Sequence, residues 1–227
     1  MINNNEKRHV PTITTTLRGH LIEVPEVIRK ATGIVILGKR IKSLIFSTDV
    51  AVIKNTNADA VMSVYPFTPQ PIITQSLVSA SDVPVFCGVG GGTTTGKRVI
   101  NLALDAEFKG AMAVVLNSPT KNEIIKGVRD VIDIPIVVTV ISEHEDFESR
   151  IQAGATIFNV SGAKDTAKIV RRVRELYPEF PIIATGGPTE ESILETIEAG
   201  ANAITYTPPS NTEIMKMLMD KYRGQMD

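Results

Sequence analysis

The side chains in this sequence that could move protons are scattered along the chain and do not form one compact motif. His144 follows a predicted strand, and the ordinary pKa of a histidine suits general acid-base catalysis. Asp49 follows another predicted strand and is either a catalytic acid or the residue that caps the next helix. Lys97 ends a glycine-rich stretch, and Asn159 could hydrogen-bond a substrate. We therefore predict Asp49, Lys97, His144 and Asn159 as candidate catalytic residues.

A second interpretation of His144 comes from its neighbours. Ser142 and Glu145 have the spacing of a capping box, which would place His144 in the first turn of a solvated helix. Thr120 and Glu123 repeat the pattern earlier in the chain. Both interpretations of His144 stay open at this point.

The glycine-rich stretch at residues 88–98 is the most unusual part of the sequence. Gly91, Gly96 and Lys97 have the spacing of a nucleotide-binding P-loop, but Arg98 stands where a Ser or Thr would bind Mg²⁺. We therefore do not predict a P-loop. The stretch is either a mobile flap whose Lys97 and Arg98 reach an anionic group, or a flexible loop with a solvated basic end.

Several reaction classes are disfavoured. No predicted strand contains a lysine, which argues against Schiff-base chemistry. No pair of histidines accompanies carboxylates at strand ends, so we predict no metal site. No G-x-G-x-x-G motif opens a dinucleotide-binding fold, and we predict no cofactor. Cys87 could be a nucleophile, but a small buried cysteine is the simpler interpretation.

The elements that must position these residues repeat along the chain. Short β-branched apolar runs alternate with helical patterns, with a repeat of about 23 residues. The runs are apolar on both faces, as parallel strands covered by helices are. Strands are entered alternately through Pro and through Gly-Ala, which indicates two-strand quarters and favours a closed α/β (β/α)₈ TIM barrel in a single domain. The predicted strands are residues 43–46, 60–65, 83–88, 111–116, 135–141, 155–160, 181–184 and 203–206.

The segment before the barrel remains to be placed. We predict that residues 1–42 form a short extension that caps the N-terminal mouth and that residues 43–227 form the barrel. Within the extension, residues 24–31 have the pattern of a short helix, and residues 34–37 that of an extra strand or hairpin partner. A rival assignment makes residues 11–16 or 34–37 the first barrel strand.

Composition narrows the partners. The 227 residues carry a net charge of −1, only 5% of them are aromatic, and there is no tryptophan. A dedicated nucleic-acid binder or a polybasic membrane anchor is therefore not expected. The single cysteine fits a reducing compartment, and the polar N-terminus has no signal-peptide core, so we expect a cytoplasmic protein. Homo-oligomerisation is left open.

The last quarter of the sequence resembles a known group of proteins. Residues 182–210, IIATGGPTEESILETIEAGANAITYTPPS, look like the last two units of the phosphate-binding (β/α)₈ barrels, a group that includes ribulose-phosphate epimerase and thiamine-phosphate synthase. Those barrels hold a substrate phosphate with backbone N–H groups. By this resemblance Gly186 and Gly187 match the glycine pair after the seventh strand, and Gly162 matches a glycine after the sixth.

The sequence departs from this pattern after the eighth strand. Thr207 and Ser210 enclose two prolines that donate no hydrogen bond, so the resemblance implies a phosphate site completed by the Thr207 and Ser210 hydroxyls. The alternative is that Gly186 and Gly187 simply make a tight strand-to-helix turn.

Together these observations favour a metal-independent isomerase, epimerase or lyase that acts on a small phosphorylated metabolite. A non-catalytic barrel that binds a phosphorylated metabolite, similar in class to the barrel of glycerol-operon antiterminators, is the first alternative. A metal-assisted hydrolase that uses the acidic residues at 143–146 is the second.

Overall fold

A computed structural model describes residues 11, 13, 15 and 22–224. Eight parallel strands form a closed barrel in which strands consecutive in sequence are neighbours and the last strand pairs with the first. This confirms the predicted (β/α)₈ barrel. The strands are β1 (Ile34–Ile36) and β2 (Lys39–Ile41), followed by the barrel strands β3 (Ser43–Phe46), β4 (Ala60–Ser63), β5 (Val85–Gly90), β6 (Ala113–Leu116), β7 (Ile136–Val140), β8 (Ile157–Val160), β9 (Ile182–Thr185) and β10 (Ala203–Tyr206).

Helices follow the barrel strands and cover their outer faces. Short 3-10 helices occur at Glu26–Lys30 and Ala163–Asp165. The α-helices are α1 (Val50–Lys54), α2 (Pro71–Ala80), α3 (Lys97–Phe108), α4 (Asn122–Arg129), α5 (Phe147–Ala153), α6 (Thr166–Leu176), α7 (Glu190–Glu198) and α8 (Asn211–Arg223). No helix in the described ranges is long and apolar enough to cross a membrane.

All eight predicted barrel strands are confirmed, with ends that differ by a few residues. The helix expected at 24–31 is a 3-10 helix over Glu26–Lys30. The rival assignment of residues 34–37 to the barrel is wrong, because Ile34–Ile36 pairs antiparallel with β2 in a separate two-stranded sheet. The other rival, residues 11–16, lies largely outside the described residues.

The barrel interior is closed at its N-terminal end by the β1–β2 hairpin. Ile36 and Ile41 pack in one cluster with the inward-facing side chains of the barrel strands, including Leu44 and Phe86. The Asp59 carboxylate accepts hydrogen bonds from the amides that lead from the hairpin into β3, at 2.8 and 3.0 Å. The hairpin therefore fills the end of the barrel opposite the one where active sites of this fold lie. The division of the chain at residue 42 stays a prediction.

We predict that Ile41→Ala lowers the free energy of unfolding by about 3 kcal/mol, because Ile41 is only 1% exposed and truncation leaves a cavity in the interior cluster. Val35→Ala is the matched control, since Val35 lies in the same hairpin and is 62% exposed. Denaturant unfolding of both variants measures the difference. Equal stabilities would show that the hairpin does not help to form the core.

Candidate functional site

Five polar side chains face the barrel interior near the C-terminal ends of four neighbouring strands. Side chains alternate between the two faces of a strand, and Val137, Ile157, Ile183 and Ala203 belong to the interior cluster. The residues two or four positions further along therefore also face inward. We call this set the polar arc: Thr139, Asn159, Ser161, Thr185 and Thr205.

Pairing between strands joins the polar arc into a continuous surface. Thr139 and Asn159 are register partners, and the Asn159 Nδ2 donates to Thr139 Oγ1 at 3.3 Å. Thr185 Oγ1 donates to Ser161 Oγ at 3.3 Å. Thr185 and Thr205 are register partners in turn. The arc thus runs across β7, β8, β9 and β10 at the mouth where catalytic residues of such barrels cluster.

Thr205 differs from the other members of the polar arc. Thr139, Asn159, Ser161 and Thr185 are half-buried, whereas Thr205 is 5% exposed. Its Oγ1 has no hydrogen-bond partner among the described residues. A buried hydroxyl without a partner costs about 1–3 kcal/mol, so Thr205 is a candidate contact for a bound ligand.

Of the four predicted catalytic residues, the structure places only Asn159 in the polar arc. Asp49 caps α1, and its Oδ1 accepts from the amides of Ala51 and Val52 at 2.8 and 3.3 Å. Lys97 is the exposed first residue of α3. His144 lies on the loop after β7 with its side chain 86% exposed. These three residues therefore lie outside the barrel strands, in three different segments that follow β3, β5 and β7.

The predicted capping box at Ser142 and Glu145 is wrong. Helix α5 begins at Phe147, and Asp146 is the residue that caps it. Ser142 instead accepts a hydrogen bond from the amide of His144 at 3.2 Å within a turn. His144 is therefore not in a first helical turn, and the turn holds its imidazole towards solvent.

The second predicted capping box, at Thr120 and Glu123, is also wrong. The cap position of α4 is Lys121, which makes no side-chain capping bond. Thr120 is buried, and its Oγ1 has no partner among the described residues. Its carbonyl accepts instead from the Arg150 guanidinium, which holds this loop against the start of α5.

The acidic residues at 143–146, expected to serve a hydrolase, are each engaged elsewhere. Glu143 pairs with Lys168 at 2.5 Å; this hydrogen bond lowers the pKa of Glu143 and raises that of Lys168. Glu145 accepts from the amide of Ile141 at 2.8 Å and lies 3.8 Å from Arg150. No group of three or more His, Cys, Asp or Glu that could hold a metal ion occurs in the described part of the chain.

The start of the glycine-rich loop is a packed turn. Gly90 and Gly91 have φ angles of 143° and 104°. The Gly91 amide donates to the Thr94 carbonyl at 3.0 Å, and the Asn117 amide donates to the Gly90 carbonyl at 3.0 Å. A Cβ at position 91 would lie 2.0 Å from Thr120 Oγ1. Backbone geometry therefore explains these two glycines without a mobile flap, while Lys97 remains exposed beyond them.

The glycines expected to bind phosphate are partly occupied by bonds within the protein. The Gly162 amide donates to Thr166 Oγ1 at 3.1 Å, and the Gly186 amide donates to the Thr205 carbonyl at 3.3 Å. Gly187 has a φ of 80°, and its amide has no hydrogen bond among the described residues. Of the three glycines, Gly187 is therefore the one that offers a donor.

Ser210 is likewise engaged within the protein. It caps α8 in a capping box with Glu213, accepting from the Glu213 amide at 3.2 Å and donating to its carboxylate at 2.7 Å. Thr207 is exposed and its amide has no bond among the described residues. Around the predicted phosphate site, the amide of Gly187 and the amide and hydroxyl of Thr207 are therefore the groups that make no hydrogen bond to another described residue. The phosphate site itself stays a prediction.

Sequence reasoning named Asn159 but did not select Ser161, Thr185 or Thr205. The sequence feature that could have marked these three residues is their position at the ends of predicted strands. When a strand is apolar on both faces, its sequence does not show whether its odd-numbered or its even-numbered residues face inward. Ser161, Thr185 and Thr205 could therefore not be distinguished from adjacent residues that face the helices.

Cys87 is the small buried cysteine that the sequence favoured, and the alternative of a nucleophile is wrong. Cys87 is 2% exposed and packs in the cluster between strands and helices, away from the polar arc. Burial raises the pKa of the thiol to about 12, so almost no thiolate is present at neutral pH.

Comparisons with known proteins support the barrel class. No family model matches the chain. A 4-hydroxy-tetrahydrodipicolinate synthase from Nitrobacter hamburgensis is 33% identical over 102 residues, which is 40% of this chain; the match covers only 34% of that curated relative's length.

Three solved structures share the fold. A 2,3-dimethylmalate lyase superposes with a TM-score of 0.62 at 11% identity, over 88% of this chain and 84% of its own. A phosphonopyruvate hydrolase in complex with oxalate and Mg²⁺ gives 0.60 at 12% identity, over 83% and 82%. A phosphoenolpyruvate phosphomutase from Streptomyces platensis gives 0.60 at 14% identity, over 80% of each chain. At these identities the likeness establishes the fold.

The comparisons therefore confirm a TIM barrel and not the particular phosphate-binding group expected from residues 182–210. The lyase and the mutase named above belong to another group of barrels, described for the lyase as the PEP mutase/isocitrate lyase superfamily. The finer resemblance stays a prediction.

We predict that Gly91→Ala lowers the free energy of unfolding by more than about 2 kcal/mol, because a Cβ there meets Thr120 and the backbone of Asn117 and the φ is positive. Gly92→Ala is the control, since nothing lies within 4 Å of a Cβ at that position. Thermal unfolding distinguishes the two. If both variants unfold alike, the close packing of this turn is disproved.

Native protein at pH 8 should react with a thiol reagent at least a hundredfold more slowly than unfolded protein, because the raised pKa and the burial of Cys87 both suppress the thiolate. The reaction is cleanly assigned, since the chain contains one cysteine. Rapid labelling of the folded protein would contradict the buried position.

Proposed function

We propose that this chain is an enzyme of the lyase, mutase or isomerase type that acts on a small phosphorylated or carboxylic acid metabolite. The observation that carries the proposal is the polar arc at the C-terminal mouth, where hydroxyl and amide groups line the end of an otherwise apolar interior. Barrels of this fold place their chemistry at this mouth. The solved structures of similar fold include a lyase and a phosphomutase.

The loops around the polar arc supply the charged groups that the strands lack. The cap of α1 uses only the Oδ1 of Asp49, so its Oδ2 is available to accept a proton. Lys97 and Arg98 are exposed at the start of α3 and can attract an anionic substrate. The amides of Gly187 and Thr207, which have no hydrogen bond within the described part of the chain, can bind its oxygen atoms. His144 remains a proposed proton carrier. We call the residues outside the strands that surround the polar arc the rim: Asp49, Lys97, Arg98, His144, Gly187 and Thr207.

A magnesium ion is part of the phosphonopyruvate hydrolase complex, so we tested whether the residues here suit one. Mg²⁺ is usually held through one or two carboxylates. None of the eight barrel strands contains a charged residue or a histidine. The polar arc offers only hydroxyls and one amide. This set does not fit a magnesium site, and we derive no step that uses one.

A second function, a non-catalytic sensor of phosphorylated metabolites, is favoured by one observation. The polar arc contains no group that titrates near neutral pH, so every proton-transfer residue must come from a loop. Such an interior can bind a ligand without changing it. Turnover separates this alternative from the enzyme, since both would bind the same class of ligand.

The proposed function is tested with a panel of small phosphorylated and carboxylic acid metabolites, each scored for thermal stabilisation and for turnover. We expect Asp49→Asn to abolish turnover at unchanged stability, because Asn also caps helices well. Asp49→Ala should lose turnover and about 1 kcal/mol of stability. Full activity of Asp49→Asn would remove Asp49 from the mechanism. Stabilisation by a ligand without turnover in the wild type would support the sensor.

A further inference from the structure

The polar arc has more hydrogen-bond donors than its own contacts use. Asn159 gives one N–H to Thr139 and keeps a second N–H and its carbonyl oxygen. Thr139 and Ser161 each accept an internal bond, which leaves their O–H groups as donors. Thr205 has no partner among the described residues. Three hydroxyl donors, one amide N–H and one amide oxygen therefore remain for a ligand.

These groups are unsuited to a fully charged ligand group. Moving an ion from water into an apolar interior is costly unless an opposite charge accompanies it. The barrel strands carry no cation. Arg150, which lies beside the mouth and is 15% exposed, is already bonded to the carbonyl of Ser118 and lies 3.8 Å from Glu145. The lysines of the loops that follow the strands, such as Lys121 and Lys164, are exposed to solvent. A carbonyl or hydroxyl group needs no counter-ion and is well served by neutral donors.

We propose that the polar arc receives the uncharged, oxygen-bearing end of the ligand, a ketone or hydroxyl group, while its phosphate or carboxylate stays at the rim. Thr205 is the deepest contact, because it combines 5% exposure with an unpartnered hydroxyl. This inference rests on the proposed function for the location of the site. It adds which end of the ligand enters the barrel.

Thr205→Val tests the inference, since valine has nearly the shape of threonine without the hydroxyl. Thr205→Ser keeps the hydroxyl. Thr196→Val is the matched control: Thr196 is equally buried, at 3% exposure, but its hydroxyl donates to the Ser192 carbonyl at 2.8 Å within α7, outside the barrel. Thr205→Val should unfold at the wild-type temperature or higher, because an unpartnered buried hydroxyl is removed. If Thr205→Val is as stable as the wild type, a loss of ligand binding in this variant cannot be attributed to unfolding.

Dissociation constants are then measured by calorimetry for three probes: uncharged hydroxyketones such as dihydroxyacetone, their phosphate esters, and inorganic phosphate. We expect Thr205→Val to weaken binding of the hydroxyketones and their esters about tenfold, the value of one hydrogen bond. Thr205→Ser and Thr196→Val should bind as the wild type does. Inorganic phosphate should bind all four proteins equally.

Three results would overturn the inference: no hydroxyketone binding by the wild type, unchanged hydroxyketone affinity in Thr205→Val, or a selective loss of inorganic phosphate binding in that variant. The last would place the anion in the arc. Hydroxyketone binding that depends on Thr205 without turnover of any metabolite would instead refute the enzymatic function and leave this inference standing.

Discussion

The structure depends on one constraint, the closure of eight short parallel strands into a ring whose two faces are both buried. Their side chains pack either against the surrounding helices or into the interior cluster. A charge on such a strand would be buried without solvation, and the barrel strands contain none. Polar chemistry is therefore confined to the strand ends and the loops. The neutral polar arc and the charged rim both follow from this confinement.

The two ends of the barrel interior differ in polarity. At the N-terminal end the interior is closed by the apolar hairpin, and Arg174 ties the nearby turns together through the carbonyls of Phe180 and Gly200 at 3.0 and 2.7 Å. At the C-terminal end the interior side chains turn polar. There Arg150 binds the carbonyl of Ser118 at 2.8 Å and lies near Glu145, so it joins two loops beside the mouth. The N-terminal end is closed by apolar packing, and the C-terminal end carries the proposed ligand site.

Much of the architecture could be predicted because it follows from local patterns. Apolar runs at a regular spacing predicted all eight barrel strands, and the extra strand before them was found as one arm of a hairpin. Asp49 was recognised as a possible helix cap because the signal is local. The box at Ser142 and Glu145 failed although its spacing is right, because the carboxylate binds the amide of Ile141 and α5 starts later. The spacing of two residues in the sequence does not show which of several possible hydrogen-bond partners a side chain binds.

The sequence by itself determined the barrel, the order of its elements and the strand ends at which polar residues appear, since each depends on periodicity and on nearby glycine, proline and capping residues. Tertiary structure decided which of those residues share a surface. Strand register brought Thr139, Asn159, Ser161, Thr185 and Thr205 together. The pairing of β9 with β10 also bonded the amide of Gly186 to the carbonyl of Thr205. Both outcomes depend on contacts between strands and loops distant in sequence, which fix which face points inward and which donors are already used.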